Sequence, residues 1–331
     1  FLLSVAFARP ERPLLLVTVD TEEAFDWSRF NRPDWSVPTA EGVDRLQILA
    51  ASFGAKPLYF LTQPVIEDER ASGYFRYLYT RSAAHLGVHL HQWTSRPHEG
   101  FAGEYYSWQC NLPESVQRAK LTALTDAFAR SFGFRARAHR AGRYGVDAHA
   151  YAAIAAAGVD LDFSPSPPFD FSIKGGPDFS GMGAAPFALV VDGREVIVTP
   201  ASGARMLRGT RVALPAARET GLSKRRPVMP SALFSPLRLS PEGASSRDLA
   251  SLARRLVADS APVLVFSLHS TSLTPGASPY ARDEAGVAAL LDTTRQFFSF
   301  FKDELGGGFV CLDELAALYG LTTGESADPH A

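Results

Sequence analysis

Two short stretches of this chain concentrate residues able to do acid-base and metal chemistry. The first is Asp20-Thr21-Glu22-Glu23, which follows directly on the run Leu14-Leu15-Leu16-Val17-Thr18-Val19. A continuous apolar run of that length reads as a strand covered on both faces, as in a parallel sheet, and alternation along it puts Asp20 and Glu22 on one face. The second holds His85, His89 and His91, in a chain with only 8 histidines. His89 and His91 share a face of an extended segment. Two imidazoles and the Glu22 carboxylate form a donor set used by catalytic zinc sites that keep a position open for water. Arg140 and His269 close two further strand-like stretches. A planar, permanently charged fork suits a grip on an acidic partner, and an imidazole titrating near neutrality suits general acid or base work. Each residue taken alone also fits a solvated loop or a satisfied core histidine. Four strand ends carrying them together fit a site better, because catalytic groups collect at the carboxyl ends of strands in barrels and open α/β sheets.

The elements needed to position these groups can be read from the pattern. Leu14 to Val19, Pro57 to Thr62, Leu86 to His91, Arg137 to Arg140, Val159 to Phe163, Pro262 to His269 and Phe309 to Leu312 read as strands. Between them lie helical stretches, one capped by Thr39, one opened by Asn111 with Glu114 three residues on, one capped by Asp147 and one from about Asp283 to Leu305. Strand alternating with helix predicts parallel crossover units and an α/β fold. Residues 164 to 250 break the rhythm. They are rich in Pro, Gly and Ser, with one strand expected at Glu195 to Thr199 and little helical periodicity before Ser246. The predicted organisation is an N-terminal segment 1–12, one catalytic domain over 13–320 with an irregular insertion at about 164–250, and a tail 321–331.

Composition bounds the function classes. With 331 residues, 46% hydrophobic, 21% charged and a net charge of −2, the chain reads as an ordinary globular protein with no nucleic-acid partner and no membrane span. Residues 1–8 are apolar and Ala6-Phe7-Ala8 has the form of a signal-peptidase site, but no basic region precedes it. The expectation is therefore cytoplasmic, or periplasmic if this segment is a leader remnant. Cys110 and Cys311 make neither a disulfide framework nor a cysteine metal site.

Thr18-Val19-Asp20-Thr21-Glu22, Gly87 to Trp93, Arg140 to Tyr144, Gly158 to Ser164 and Leu268-His269 resemble, in order, the five motifs of the polysaccharide deacetylases, metal-dependent carbohydrate esterases of the nodulation-factor deacetylase type. The resemblance runs from about Pro13 to Leu318. The Asp-x-Glu start, the His-x-His-x-Trp form and the segment His269 to Tyr280 are similar to a subgroup associated with surface-polysaccharide biosynthesis. It implies a distorted, incomplete (β/α) barrel and a divalent metal, usually zinc. It also implies Asp20 as general base, Glu22 and His89 as metal ligands, Arg140 as the partner of Asp20, and His269 as general acid oriented by Asp162 or, second, Asp160. Two positions depart from the family. Thr21 stands where a second aspartate is usual, and Trp93 stands where the second histidine is usual. His91 is the substitute ligand expected here, with His85 as the alternative.

The resemblance implies a metal-dependent hydrolase that removes an N-acetyl group from an N-acetylated sugar of a surface polysaccharide or its precursor, so an N-acetylated glycan or sugar precursor is the expected partner. Two other readings compete. One is a glycoside hydrolase using Asp20 and Glu22, although neighbours on one strand are poorly placed to flank a glycosidic bond. The other is a metal-free carbohydrate-binding protein on the same scaffold. Residues 205 to 226 hold seven basic side chains against Glu219 alone, which suggests either a solvated surface or docking of an anionic glycan carrier.

Overall fold

A computed structural model describes residues 2–3, 10–26, 35–37, 40–98, 100–207 and 234–321. Most of the aromatic loop 25–35, the segment 4–9, the basic residues 208–226 and the tail 322–331 lie outside the described residues.

The apolar run ending in Asp20-Thr21 is strand β2 (Leu14–Thr21), buried from Leu15 onward. The other strands are β1 (Leu2–Leu3), β3 (Leu58–Leu61), β4 (His85–Leu90), β5 (Ala138–Ala141), β6 (Leu161–Asp162), β7 (Phe187–Val191), β8 (Arg194–Val198), β9 (Gly203–Leu207), β10 (Phe234–Arg238), β11 (Val263–His269) and β12 (Gly308–Phe309). The principal sheet runs β1-β7-β8-β6-β5-β4-β3-β2-β11, with β12 pairing β2 beside β3. From β8 through β11 the neighbours are parallel, while β7 and β1 add an antiparallel margin. The order does not return on itself, so the sheet curls as an open half-barrel. Strands β9 and β10 pair antiparallel as a separate ribbon.

The helices are α1 (Ala40–Ser52), α2 (Gln63–Glu67), α3 (Glu69–Thr80), α4 (Glu114–Phe132), α5 (Ala148–Ala156), α6 (Ser246–Ala258), α7 (Glu284–Ser299) and α8 (Leu312–Leu318). Helices α1 to α7 cover one face of the sheet, while α8 packs Leu312, Leu315 and Ala316 against the other, and strand alternation decides what each meets. Leu15, Val17 and Val19 of β2, Leu86, Val88 and Leu90 of β4, and Leu264, Phe266 and Leu268 of β11 pack in the large core with Leu46, Phe75, Leu124, Phe128, Phe297 and Phe298. The intervening residues face the concave side, where Leu16, Phe60, Ala138, Leu161, Phe163 and Val265 form a second core. Asp20, His89, Arg140 and His269 belong to this inner parity.

Several local expectations change. Asn111 does not cap α4, whose N-cap is Pro113 without a side-chain bond. Its amide instead donates to Tyr105 O and Gly175 O. Asp147 does cap α5, accepting from Ala150 N at 2.8 Å. Among its described residues the segment 164–250 carries four strands rather than one, because β7, β9 and β10 gain their order from antiparallel partners and not from a run of buried residues.

Candidate metal centre and active site

Glu22 follows β2 directly and points into the concave end. Its backbone N–H donates to Ser270 Oγ (3.0 Å) and its Oε1 accepts from Thr271 Oγ1 (3.2 Å). The 3₁₀ turn Ser270–Leu273 after β11 thus fixes it. The other oxygen, Oε2, is buried with no hydrogen-bond partner. His89, on β4, places Nδ1 against Arg140 O at 2.8 Å, which makes Nδ1 the donor and turns Nε2 inward. His91, one residue past β4, places Nδ1 against Glu23 Oε1 at 2.8 Å and Nε2 3.3 Å from Glu22 Oε2. One ligand atom from each of Glu22, His89 and His91 lies within 4.8 Å of the others. An orphaned carboxylate oxygen, two imidazoles with their far nitrogens already committed, and a buried setting fit a divalent metal of zinc type. These three residues could hold it.

Close backbone approach makes this possible. A Cβ at Gly142 would meet His91 Cδ2 at 2.7 Å and Leu90 O at 2.8 Å, and one at Gly87 would meet Ala138 O at 2.8 Å. Trp93 is not a ligand but a wall, stacked on the His91 ring with centroids 4.2 Å apart. His85 sits at the opposite end of β4, its Nδ1 3.8 Å from Asp313, and is not in the group.

Asp20 and His269 are register partners on β2 and β11. Arg140 spans from β5 over the Phe60 ring (4.5 Å) and donates from Nη1 to Asp20 Oδ1 at 2.6 Å and Thr18 Oγ1 at 3.1 Å, with Nε donating to Phe163 O. Burial pushes the Asp20 carboxyl up, but Arg140, His89 and His269 together hold it well below the usual carboxylate range. Asp20 Oδ2 stands 4.0 Å from His269 Nε2. On the far side of that ring, Nδ1 meets Glu242 Oε2 at 2.8 Å, and Glu242 also accepts from His269 N and Ser272 Oγ. Burial would lower the imidazole's pKa, yet Glu242, Glu22 and Asp20 raise it well above its ordinary value. Burial raises Glu22, and burial drives His89 well below the ordinary histidine value, so its neutral, metal-binding form is favoured.

The expectation that Asp162 or Asp160 orients His269 is corrected. Leu161 has the inner parity of β6, so Asp162 faces the helices, where it meets His139 Nδ1 (2.8 Å), Ser164 Oγ (2.5 Å) and Tyr151 Oη (3.3 Å). Asp160 pairs with Arg137 at 2.7 Å. The partner of His269 is Glu242, which sequence reasoning did not select because it follows β10 inside the irregular segment. Glu23 was visible as part of the acidic cluster, but its bond to His91 was not.

No family model matches this sequence, and no curated protein does. Among solved structures, a protein assigned as a polysaccharide deacetylase from Mycobacterium smegmatis superposes with a TM-score of 0.56 at 15% identity, covering 97% of each chain. The α-amylase AmyC from Thermotoga maritima gives 0.51 at 11% identity, covering 92% of this chain and 74% of that one. At such identities the likeness concerns architecture, and the same architecture serves two kinds of carbohydrate enzyme. This chain has the fold of the polysaccharide deacetylases.

Proposed function

We propose that the protein is a metal-dependent carbohydrate deacetylase acting on an N-acetylated sugar of a surface polysaccharide or its precursor. One observation carries the reading: Glu22, His89 and His91 gather their donor atoms on the rim where Asp20, held by Arg140, faces His269, held by Glu242. Bound there, a divalent metal of zinc type supplies Lewis-acid polarisation of a carbonyl and a lowered pKa for water. The chain's own groups divide the proton transfers. Asp20 stays ionised, so it can accept the proton of the attacking water, and Arg140 fixes its orientation. His269 stays protonated and presents Nε2, so it can donate to the departing amine nitrogen. Glu242 takes the Nδ1 proton in a hydrogen bond and keeps the ring from rotating.

Acetate release from partially acetylated chitooligosaccharides by the zinc-loaded protein tests this. Asp20→Asn and His269→Ala should each lower turnover by roughly two orders of magnitude or more, with circular dichroism unchanged. Undiminished acetate release in both folded variants, or release of new reducing ends without acetate, overturns the proposal. The second outcome would favour the glycoside hydrolase reading that the amylase-like architecture keeps open.

A further inference from the structure

Beside the proposed centre lies a second set of polar and aromatic groups that the deacetylation chemistry does not use. Arg238, the last residue of β10, donates from Nε (3.1 Å) and Nη2 (2.9 Å) to Ser166 Oγ, a fully buried hydroxyl. Its guanidinium carbon lies 4.3 Å from the Tyr144 ring centre and 4.6 Å from that of Phe169. Phe171 continues the stack, near-parallel to Tyr144 at 6.0 Å and to Phe169 at 5.9 Å. The fork is therefore held along one edge and lies against two aromatic rings. Among the described residues no carboxylate forms an ion pair with it.

The backbone under this arrangement is strained. Arg143 (φ 54°) and Tyr144 (φ 62°) are consecutive non-glycine residues in the left-handed region, which L side chains adopt at a cost. Arg143 is fixed over the Trp108 ring at 4.1 Å and bonds Ser107 Oγ. Tyr144 is thereby turned towards Arg238. Tyr280, half exposed, lies parallel to the His269 ring with centroids 6.5 Å apart. Leu239, next after Arg238, accepts from Ser267 N of β11 at 3.0 Å, and Gly142, two residues before Tyr144, abuts the His91 ring, so the stack and the proposed centre share one rim.

Charge supplies the remaining argument. The rim holds Asp20, Glu22 and Glu23, all buried, and Glu242, whose side chain is 6% exposed, and Arg140 is committed to Asp20. Arg140 and His269 are paired with Asp20 and Glu242, so an anionic group on the glycan needs a separate cation to meet it. A guanidinium stacked on rings and fixed along one edge is pre-organised to receive two anionic oxygens on its other edge.

Resting on the deacetylase reading, we infer that Arg238, framed by Tyr144 and Phe169, is a subsite for a carboxylate or phosphate group on the glycan, next to the acetamido sugar held over Tyr280 and His269. The preferred substrate class is thus an acidic N-acetylated saccharide rather than a neutral one.

Calorimetry on the wild-type zinc-loaded protein can compare three probes of equal length: an oligosaccharide alternating N-acetylglucosamine with glucuronate, a neutral chitooligosaccharide, and a chitooligosaccharide ending in a 1-phosphate. At least one charged probe should bind about tenfold tighter than the neutral one at low salt, and the gap should narrow as salt is raised. Which probe gains identifies carboxylate or phosphate as the recognised group. Arg238→Gln should erase the gap, and Arg238→Lys should restore only part of it. Failure of both charged probes to bind more tightly than the neutral one in the wild type overturns the subsite without recourse to any variant, as does a gap that survives in folded Arg238→Gln. Acetate measured in the same samples separates the two proposals. Charge-selective binding without acetate release keeps the subsite and removes the deacetylase reading, whereas release from all probes with equal affinity does the reverse.

Discussion

Glu23 shows how one side chain sets the quality of the candidate metal centre. It is fully buried, and its Oε1 accepts from His91 Nδ1 and from Thr94 Oγ1 at 3.2 Å. That bond selects the His91 tautomer whose Nε2 is free towards Glu22 and raises the basicity of the ring, and outer-shell partners of this kind change metal affinity by about 10–100-fold. Glu23→Gln retains the volume but offers a weaker acceptor that can flip. It should weaken zinc binding by roughly that factor in a chelator-competition titration. Affinity within twofold of wild type would mean that His91 is oriented by Trp93 and backbone alone. The same scale shows what the sequence could and could not reveal. Asp20, Glu22, His89, Arg140 and His269 were legible because each ends a stretch long enough to fix parity. The role of Asp162 was carried over from the family's motif by position, whereas in β6 it is Leu161 that faces inward and Asp162 turns to His139. Glu242 gave no signal, since its meeting with His269 across 27 residues depends on the fold of the intervening segment.

At the scale of elements, α4 controls the turn that carries His91. Lys120 of α4 is 2% exposed and donates to Ser95 O (2.7 Å) and Pro97 O (2.5 Å), pinning the chain just after the histidine pair. Burial pushes its ammonium down to about 8 from 10.5. In this window the unfolded chain binds the proton and the folded one does not, so the stability conferred by Lys120 rises with pH from 8 to 10.5 and is flat below 8. Urea denaturation of wild type and Lys120→Met should therefore diverge by up to about 1.4 kcal/mol per pH unit across that range. Parallel curves would show that the ammonium is solvated in the folded state. Helices α5 and α7 were readable from their caps Asp147 and Asp283, and α4 from periodicity without the Asn111 cap. Strands β7, β9 and β10 were not, because antiparallel strands at a margin need no continuous apolar run.

For the whole molecule, the candidate centre ties together strands that are not neighbours. Glu22 extends β2, His89 and His91 belong to β4 and its end, and β3 runs between them. An open half-barrel has no closing strand to hold its concave rim, so a ligand that bridges β2 and β4 stabilises the architecture as well as the site. A metal that binds only the folded chain adds about 2.7 kcal/mol when present at a hundredfold excess over its Kd. For a chain of this length that corresponds to a rise in Tm of roughly 4 °C. Differential scanning calorimetry of the chelator-treated protein, with and without zinc, should show this rise, and His89→Ala should abolish it. An equal rise in His89→Ala would place the stabilising zinc elsewhere and detach the three-residue cluster from metal binding. A rise confined to the wild type would join the two halves of the rim through one ion, which is the arrangement that the proposed amide hydrolysis at Asp20 and His269 requires.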